Sequence, residues 1–293
     1  MRTEQEMMEM LLNIARSDDR IRAAYLGGSR CNPNVPEDIF RDYDIVYVVK
    51  EIRPFLEDPK WIDAFGERLL MQLPMELDRA NGLECDFDRE YGYLIQLADG
   101  NRVDCMLQTL ETSLADLEES RLKRVLLDKD GILPVLPEPS DESHWVRRPS
   151  GEEYAAACNE FWWLLVNVGK GLWREEILYV MDMLNLYVRP ELFKMLTWRV
   201  GIQTRFSCSV GKSGKYLNHF LQEDLWQRYL ATFPEGNLQR IWDSVDILCD
   251  LFSETARMTG DQLGYPYQEA DEAGSRKYLE RVRVLPKDAE EIF

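Results

Sequence analysis

A break in texture near the middle of the chain constrains the fold more than any other feature. The segment LPVLPEPSDESHWVRRPSGEEY (133–154) holds four prolines and a cluster of small polar residues, which is linker chemistry. Before it, strand and helix patterns alternate. Residues 3–16 place Met7, Met8, Leu11, Leu12 and Ile14 at helical spacing. IRAAYLGG (21–28) and YDIVYVV (43–49) read as strands, 61–73 as an amphipathic helix, and 91–110 as a hairpin turning at ADGN. RVLLDKDG (124–131) adds a short strand and turn. Beyond the break the pattern is helical, over roughly 151–169, 172–196, 212–232, 236–260 and 271–282. The predicted class is α+β, a mixed sheet with flanking helices (1–136), a linker (137–150) and a helical bundle (151–293).

Charge narrows the partners. The formal net charge is −18, from 53 carboxylates against 35 lysines and arginines. Residues 1–150 carry 31 of those acids and 19 of those bases, so the excess covers both halves. Such a surface repels nucleic-acid backbones and attracts cations. Six scattered cysteines without a CxxC fit reduced thiols, and the only two histidines, His144 and His219, form no HExxH zinc motif and no His-rich metal site. The first twenty residues lack signal-peptide character, and no apolar run reaches membrane-spanning length. A soluble, cytoplasmic protein with neither nucleic-acid nor membrane partners is expected.

The chemistry concentrates in LGGSRCNPNVPEDIFRDYDIVYVV (26–49). A strand ends at Gly27-Gly28-Ser29, and Asp42-Tyr43-Asp44 opens the next. Glycine lets backbone N–H groups approach a phosphate, and the Ser29 hydroxyl adds a donor. Residues two apart on a strand face the same side, so Asp42 and Asp44 converge. Two bare carboxylates about 4 Å apart repel by about 4 kcal/mol at an effective dielectric of 20, so a cation belongs between them. Oxygen ligands beside a phosphate suit Mg²⁺. Asp104, inside the apolar strand NRVDCML, needs a partner or a metal and is the third acid.

Strand, Gly-Ser turn, Asp-x-Asp strand and a later strand Asp together resemble the polymerase-β-like nucleotidyltransferase superfamily. Within it the chain is similar to the aminoglycoside 6-adenylyltransferase family, which modifies streptomycin. The likeness is carried by MRTEQEMMEMLL, GSRCNPNVPEDIFRDYDIVY, RVDCML, LLDKDG, VRRPSGEEY, NEFWW, KGLWREEILYVMDMLN, VRPELFKMLTWRVGI and SVGK. It extends to about residue 267, and the tail from about 268 is weakly matched. The resemblance implies transfer of AMP from ATP to the 6-hydroxyl of the streptidine ring, with release of pyrophosphate. Gly28, Ser29 and Arg30 would hold the ATP phosphates, Asp42 and Asp44 would hold Mg²⁺, and Asp104 would complete the site as base or metal ligand. Cys105 and Met106 depart from the family pattern, which bears on drug choice more than on catalysis.

In the helical half, SVGKSGKYL (209–217) sets Lys212 and Lys215 in a Gly-rich loop opening a helix. The resemblance favours Lys212 as a phosphate ligand; the alternative is a solvated lysine at a helix start. Glu175, Asp182 and Asn185 fall near one helical stripe, with Glu176 beside it. Asp182, among Met, Leu and Val, would pair either with a guanidinium of the drug or with an internal arginine. Trp173 would line the sugar pocket or pack in the core. Two rival functions stay open: nucleotidyl transfer to another hydroxyl, such as one on a protein, and a non-catalytic nucleotide-binding relative.

Overall fold

A computed structural model describes residues 1–293 as two compact units, Met1–Ser143 and His144–Phe293. In the first, α1 (Glu4–Ser17) opens on a capping box between Thr3 and Glu6. The strands are β1 (Ile21–Leu26), β2 (Tyr43–Val49), β3 (Arg68–Gln72), β4 (Glu90–Leu97), β5 (Arg102–Gln108) and β6 (Arg124–Asp128). Short helices α2 (Arg53–Leu56), α3 (Pro74–Ala80) and α4 (Leu110–Glu119) fill the connections. The sheet order is β3-β4-β5-β2-β1-β6, with β2 and β5 parallel and every other pair antiparallel. This is the mixed sheet of an α+β fold.

Alternation along the central strands separates two faces. Ile45, Tyr47 and Val49 of β2 join Val103, Cys105 and Leu107 of β5 in the larger core, under Met7, Leu11 and Ile14 of α1. Val46 and Val48 face the smaller cluster with Tyr25 and Leu117, against which Met106 packs. By the same alternation, Asp44 and Asp104 stand on this second face, near the beginnings of β2 and β5.

The helix expected over 61–73 does not form. Trp61–Phe65 makes one 3₁₀ turn, Gly66 stops it at φ +104°, and Arg68–Gln72 pairs with β4 as an edge strand. Trp61, Ile62 and Phe65 are buried, which explains their helix-like spacing, whereas Leu69, Leu70 and Met71 are exposed on the strand.

In the second unit, α5 (Gly151–Arg174) begins on a capping box between Ser150 and Glu153. Phe161 stacks on Phe252 of α9 (Leu238–Leu263) at 3.6 Å between ring centroids, and α10 (Glu269–Arg283) packs along α5. α5 and α10 contain the spans expected at 151–169 and 271–282, and α9 covers that at 236–260 from Leu238 on.

Two expected helices need correction. Residues 172–196 are not one helix. The chain leaves α5 at Glu175, which takes a left-handed conformation (φ 64°) while Glu176 N–H bonds back to Gly171 O at 2.9 Å, a Schellman ending. It restarts as α6 (Ile177–Asp182), widens into a π-helical segment (Met183–Val188) and continues as α7 (Arg189–Gln203). Pro190 explains the widening. It has no N–H for the carbonyl four residues back, and Arg189 N–H reaches Leu184 O instead.

Nor is 212–232 one helix. Residues 212–214 and 217–219 are isolated 3₁₀ turns, and α8 runs only from Glu223 to Leu230. Gly211 and Gly214 hold φ of +75° and +74°, against the rings of Tyr216 and Phe193. No helix of the chain is long and apolar enough to cross a membrane.

Candidate active site

The parallel register of β2 and β5 sets Asp44 directly opposite Asp104. Asp42 lies two residues before Asp44, at the mouth of the same strand. The three acids that sequence spacing singled out therefore meet at one end of the sheet. They do not close into a preformed metal cage of three acid ligands, because an arginine intervenes. Arg102 donates from Nε and Nη2 to the two oxygens of Asp104 at 2.8 and 2.9 Å, and its Nε lies 3.7 Å from Asp42 Oδ2. Like Asp42 and Asp44, Arg102 and Asp104 are two apart on a strand, so this partner was legible in the sequence and was passed over.

Asp44 carries the electrostatic load. Burial, reinforced by the carboxylates of Asp104 and Asp42, pushes its carboxyl up from 3.8 to about 6. Arg102 and Lys123 act in the opposite sense without offsetting this. A half-buried carboxylate beside two others is a site short of positive charge. Its donors are all oxygen, which fits a hard divalent cation.

The Gly-Ser turn is built around Asp44. Gly27 N–H donates to the Asp44 carbonyl at 2.8 Å. Gly28 then turns through φ +66°, and a Cβ there would overlap Asp44 Oδ2 and lie 2.7 Å from its Cγ. Glycine at 28 is thus required twice, by backbone conformation and by the carboxylate pressed against it. Ser29 follows in a single 3₁₀ turn, Gly28–Cys31.

Arg30 points elsewhere. Its Nε donates to Asp42 O at 3.0 Å and its Nη2 to Arg41 O at 2.9 Å, while Nη1 pairs with Glu4 at 3.1 Å. The guanidinium stacks 3.6 Å from the Tyr43 ring centroid. Two of its nitrogens brace the approach to β2 and the third pairs with α1, so in this structure all three are engaged within the protein. A second basic residue beside the turn, Lys123, comes from the α4–β6 connection. No spacing rule links it to the motif, and sequence reasoning missed it.

In the second unit, Trp173 Nε1 donates to Leu285 O at 2.9 Å, and Lys287 bonds the Trp173 carbonyl and pairs with Glu175 at 2.8 Å. Glu176 lies 4.0 Å from Arg174. Trp173 and Glu175 are therefore engaged by the chain's own C-terminal segment, and neither Glu175 nor Glu176 shares a continuous helix with Asp182. Asp182 is not buried among apolar residues as its sequence surroundings suggested. It is exposed, as are Asn185 and the apolar Leu178 (84% exposed) and Leu186. The nearby arginine turns inward: Arg189 bonds Asn185 Oδ1, Thr232 Oγ1 and Thr232 O and is itself buried. Asn185 consequently shows solvent its amide N–H donors, one turn from a carboxylate that can only accept. Lys212 is exposed in the 3₁₀ turn that contains Ser213 at φ 56°.

Comparison with known proteins supplies the family. The family model described as streptomycin adenylyltransferase matches residues 1–282. The aminoglycoside 6-adenylyltransferase of Bacillus subtilis (strain 168) is 36% identical over 283 residues, 96% of this chain and 98% of that protein. One from Campylobacter jejuni is 36% identical over 272 residues, 93% of each chain. A crystal structure of an aminoglycoside 6-adenyltransferase from Bacillus subtilis aligns at 32% identity with a TM-score of 0.48, covering 97% of this chain and all (100%) of that one. Matched over nearly its whole length, the chain belongs to the streptomycin adenylyltransferase family.

Proposed function

We propose that the protein transfers AMP from ATP to the 6-hydroxyl of the streptidine ring of streptomycin, releasing pyrophosphate. The observation that carries the reading is the register of Asp44 opposite Asp104, with Asp42 beside them and the Gly28 turn pressed against Asp44, in a member of this family. Asp42, Asp44 and Asp104 would hold Mg²⁺, with Arg102 releasing Asp104 to admit it. The ion supplies positive charge where the attacking oxygen and the leaving phosphate become anionic. In the reaction the acceptor oxygen bonds the α-phosphorus and the bond from that phosphorus to the bridging oxygen breaks. Pyrophosphate leaves with the electron pair, and the hydroxyl proton passes to a carboxylate of the site. Gly28 and Ser29 present the phosphate-facing turn.

On the acceptor side, Asp182 offers two oxygens to a guanidinium of streptidine, and Asn185 offers N–H donors to a neighbouring hydroxyl. Exposed Leu178 and Leu186 give the ring an apolar surface. Asp182→Asn is expected to raise KM for streptomycin about 10-fold or more, the worth of a charged hydrogen bond, with KM for ATP unchanged. Unaltered streptomycin affinity would remove the guanidinium role.

The reading as a whole is tested by pyrophosphate release from ATP and Mg²⁺ with streptomycin, kanamycin, spectinomycin or no acceptor. Release with streptomycin alone is expected. No release with any drug would overturn the acceptor, and label from radioactive ATP on the protein itself would favour a protein hydroxyl instead.

A further inference from the structure

We infer that Lys123 binds the β- and γ-phosphates of the nucleotide, the portion that departs as pyrophosphate, and that Asp116 and Tyr25 hold its ammonium ready until they arrive. The inference rests on the adenylyl-transfer reading. The Lys123 side chain runs against the Gly27 backbone: a Cβ on Gly27 would lie 3.6 Å from its Cδ and 3.8 Å from its Nζ. Its ammonium thus borders the same turn whose next residue, Gly28, abuts Asp44. The side chain is 14% exposed, so it is covered without being sealed from solvent. Arg30, the other cation of the turn, is engaged at three nitrogens and 7% exposed, so it cannot reach a phosphate without unbracing β2.

The local bonding is arranged so that Lys123 can leave its partner. Nζ donates to Asp116 Oδ2 at 2.6 Å, which uses one of three ammonium N–H groups. The buried Tyr25 hydroxyl lies 2.6 Å from the same oxygen and 2.8 Å from Gln108 Oε1; its one proton goes to the carboxylate, the stronger acceptor, since Ser113 Oγ already donates to Gln108 Oε1. When Lys123 turns to a phosphate, Asp116 keeps the Tyr25 bond and is not left an unsatisfied carboxylate. A lysine present only to tie α4 to β6 would gain nothing from that second donor.

Pyrophosphate binding to the full-length protein, measured by calorimetry, tests the assignment through two variants that break the same ion pair. Lys123→Met is expected to weaken pyrophosphate and ATP binding about 10- to 100-fold, with streptomycin binding unchanged. Asp116→Asn leaves the ammonium in place and is expected to hold pyrophosphate affinity within about 3-fold. Equal losses in both variants, or none in Lys123→Met, would overturn the inference. Acetylation of lysines followed by mass spectrometry reads the unmutated protein: pyrophosphate should shield Lys123, and an unshielded Lys123, or no pyrophosphate binding at all, also overturns it. The two readings fail separately. AMP transfer to streptomycin with undiminished pyrophosphate affinity in Lys123→Met defeats this inference alone. Lys123-dependent pyrophosphate binding without transfer to any aminoglycoside defeats the acceptor assignment alone.

Discussion

Asp44→Asn is expected to abolish AMP transfer, by about 10³-fold or more, and to make the free protein more stable at pH 7. The two effects share one cause. In the folded chain Asp44 is half-buried against Asp104 and Asp42, and that setting pushes its carboxyl up from 3.8 to about 6. A carboxyl whose pKa is raised by folding binds its proton more tightly in the folded state, so ionising it costs stability. That cost is absent below about pH 4, grows as the pH rises, and is complete above about pH 6, where the shift corresponds to about 3 kcal/mol. Asparagine carries no charge at any of these pH values. The variant should therefore match the wild type in melting temperature near pH 4 and exceed it by several degrees near pH 7. Mg²⁺ with ATP should raise the melting temperature of the wild type alone. A variant that melted lower than the wild type at pH 7, or that retained turnover, would contradict the charge assignment. The same titration predicts that activity falls as the pH drops below 6, as protonated Asp44 stops attracting the cation.

Local spacing carried the Asp42–Asp44 pair into view, because strand alternation has a period of two and needs no knowledge of the partner strand. The hairpin at 91–110 was legible for the same reason, with Gly100 supplying its turn at φ +93°. What brings Asp104 opposite Asp44 is a parallel pairing of residues sixty apart in the chain, and no pattern within either strand states that register. The misread elements turn on single residues. Gly66 converts an apparent helix into a turn and an edge strand, and Pro190 converts a continuous helix into α6, a π segment and α7. Apolar periodicity alone ran across both. Asp182 was misplaced because neighbours in sequence are not neighbours in space on a helix: Met183 and Leu184 point inward while Asp182 points out. The bonds of Arg30 to Arg41 O and Asp42 O were not legible either, since they depend on how the loop closes.

Adjacent glycines in the turn should respond in opposite ways to the same substitution. Gly28→Ala must force its methyl into the space of the Asp44 carboxylate, from a backbone at φ +66° that disfavours any side chain. The conformational part costs about 1 kcal/mol. Displacement of the carboxylate costs more, since moving a reacting group by about 1 Å lowers turnover about 10²-fold. Gly27 is extended, at φ −120° and ψ −168°, and its added methyl would meet Lys123 Cδ at 3.6 Å, an ordinary contact. Gly27→Ala is therefore expected to keep kcat within about 3-fold of the wild type, because no group is displaced. Steady-state turnover of both variants, with melting curves to confirm folding, separates two explanations of the glycine pair. If the turn needs glycine only so that a phosphate can approach the backbone, both substitutions should raise KM for ATP alike. If Gly28 is needed to seat Asp44, as the packing of its Cα against that carboxylate argues, the loss falls on kcat and on Gly28→Ala alone.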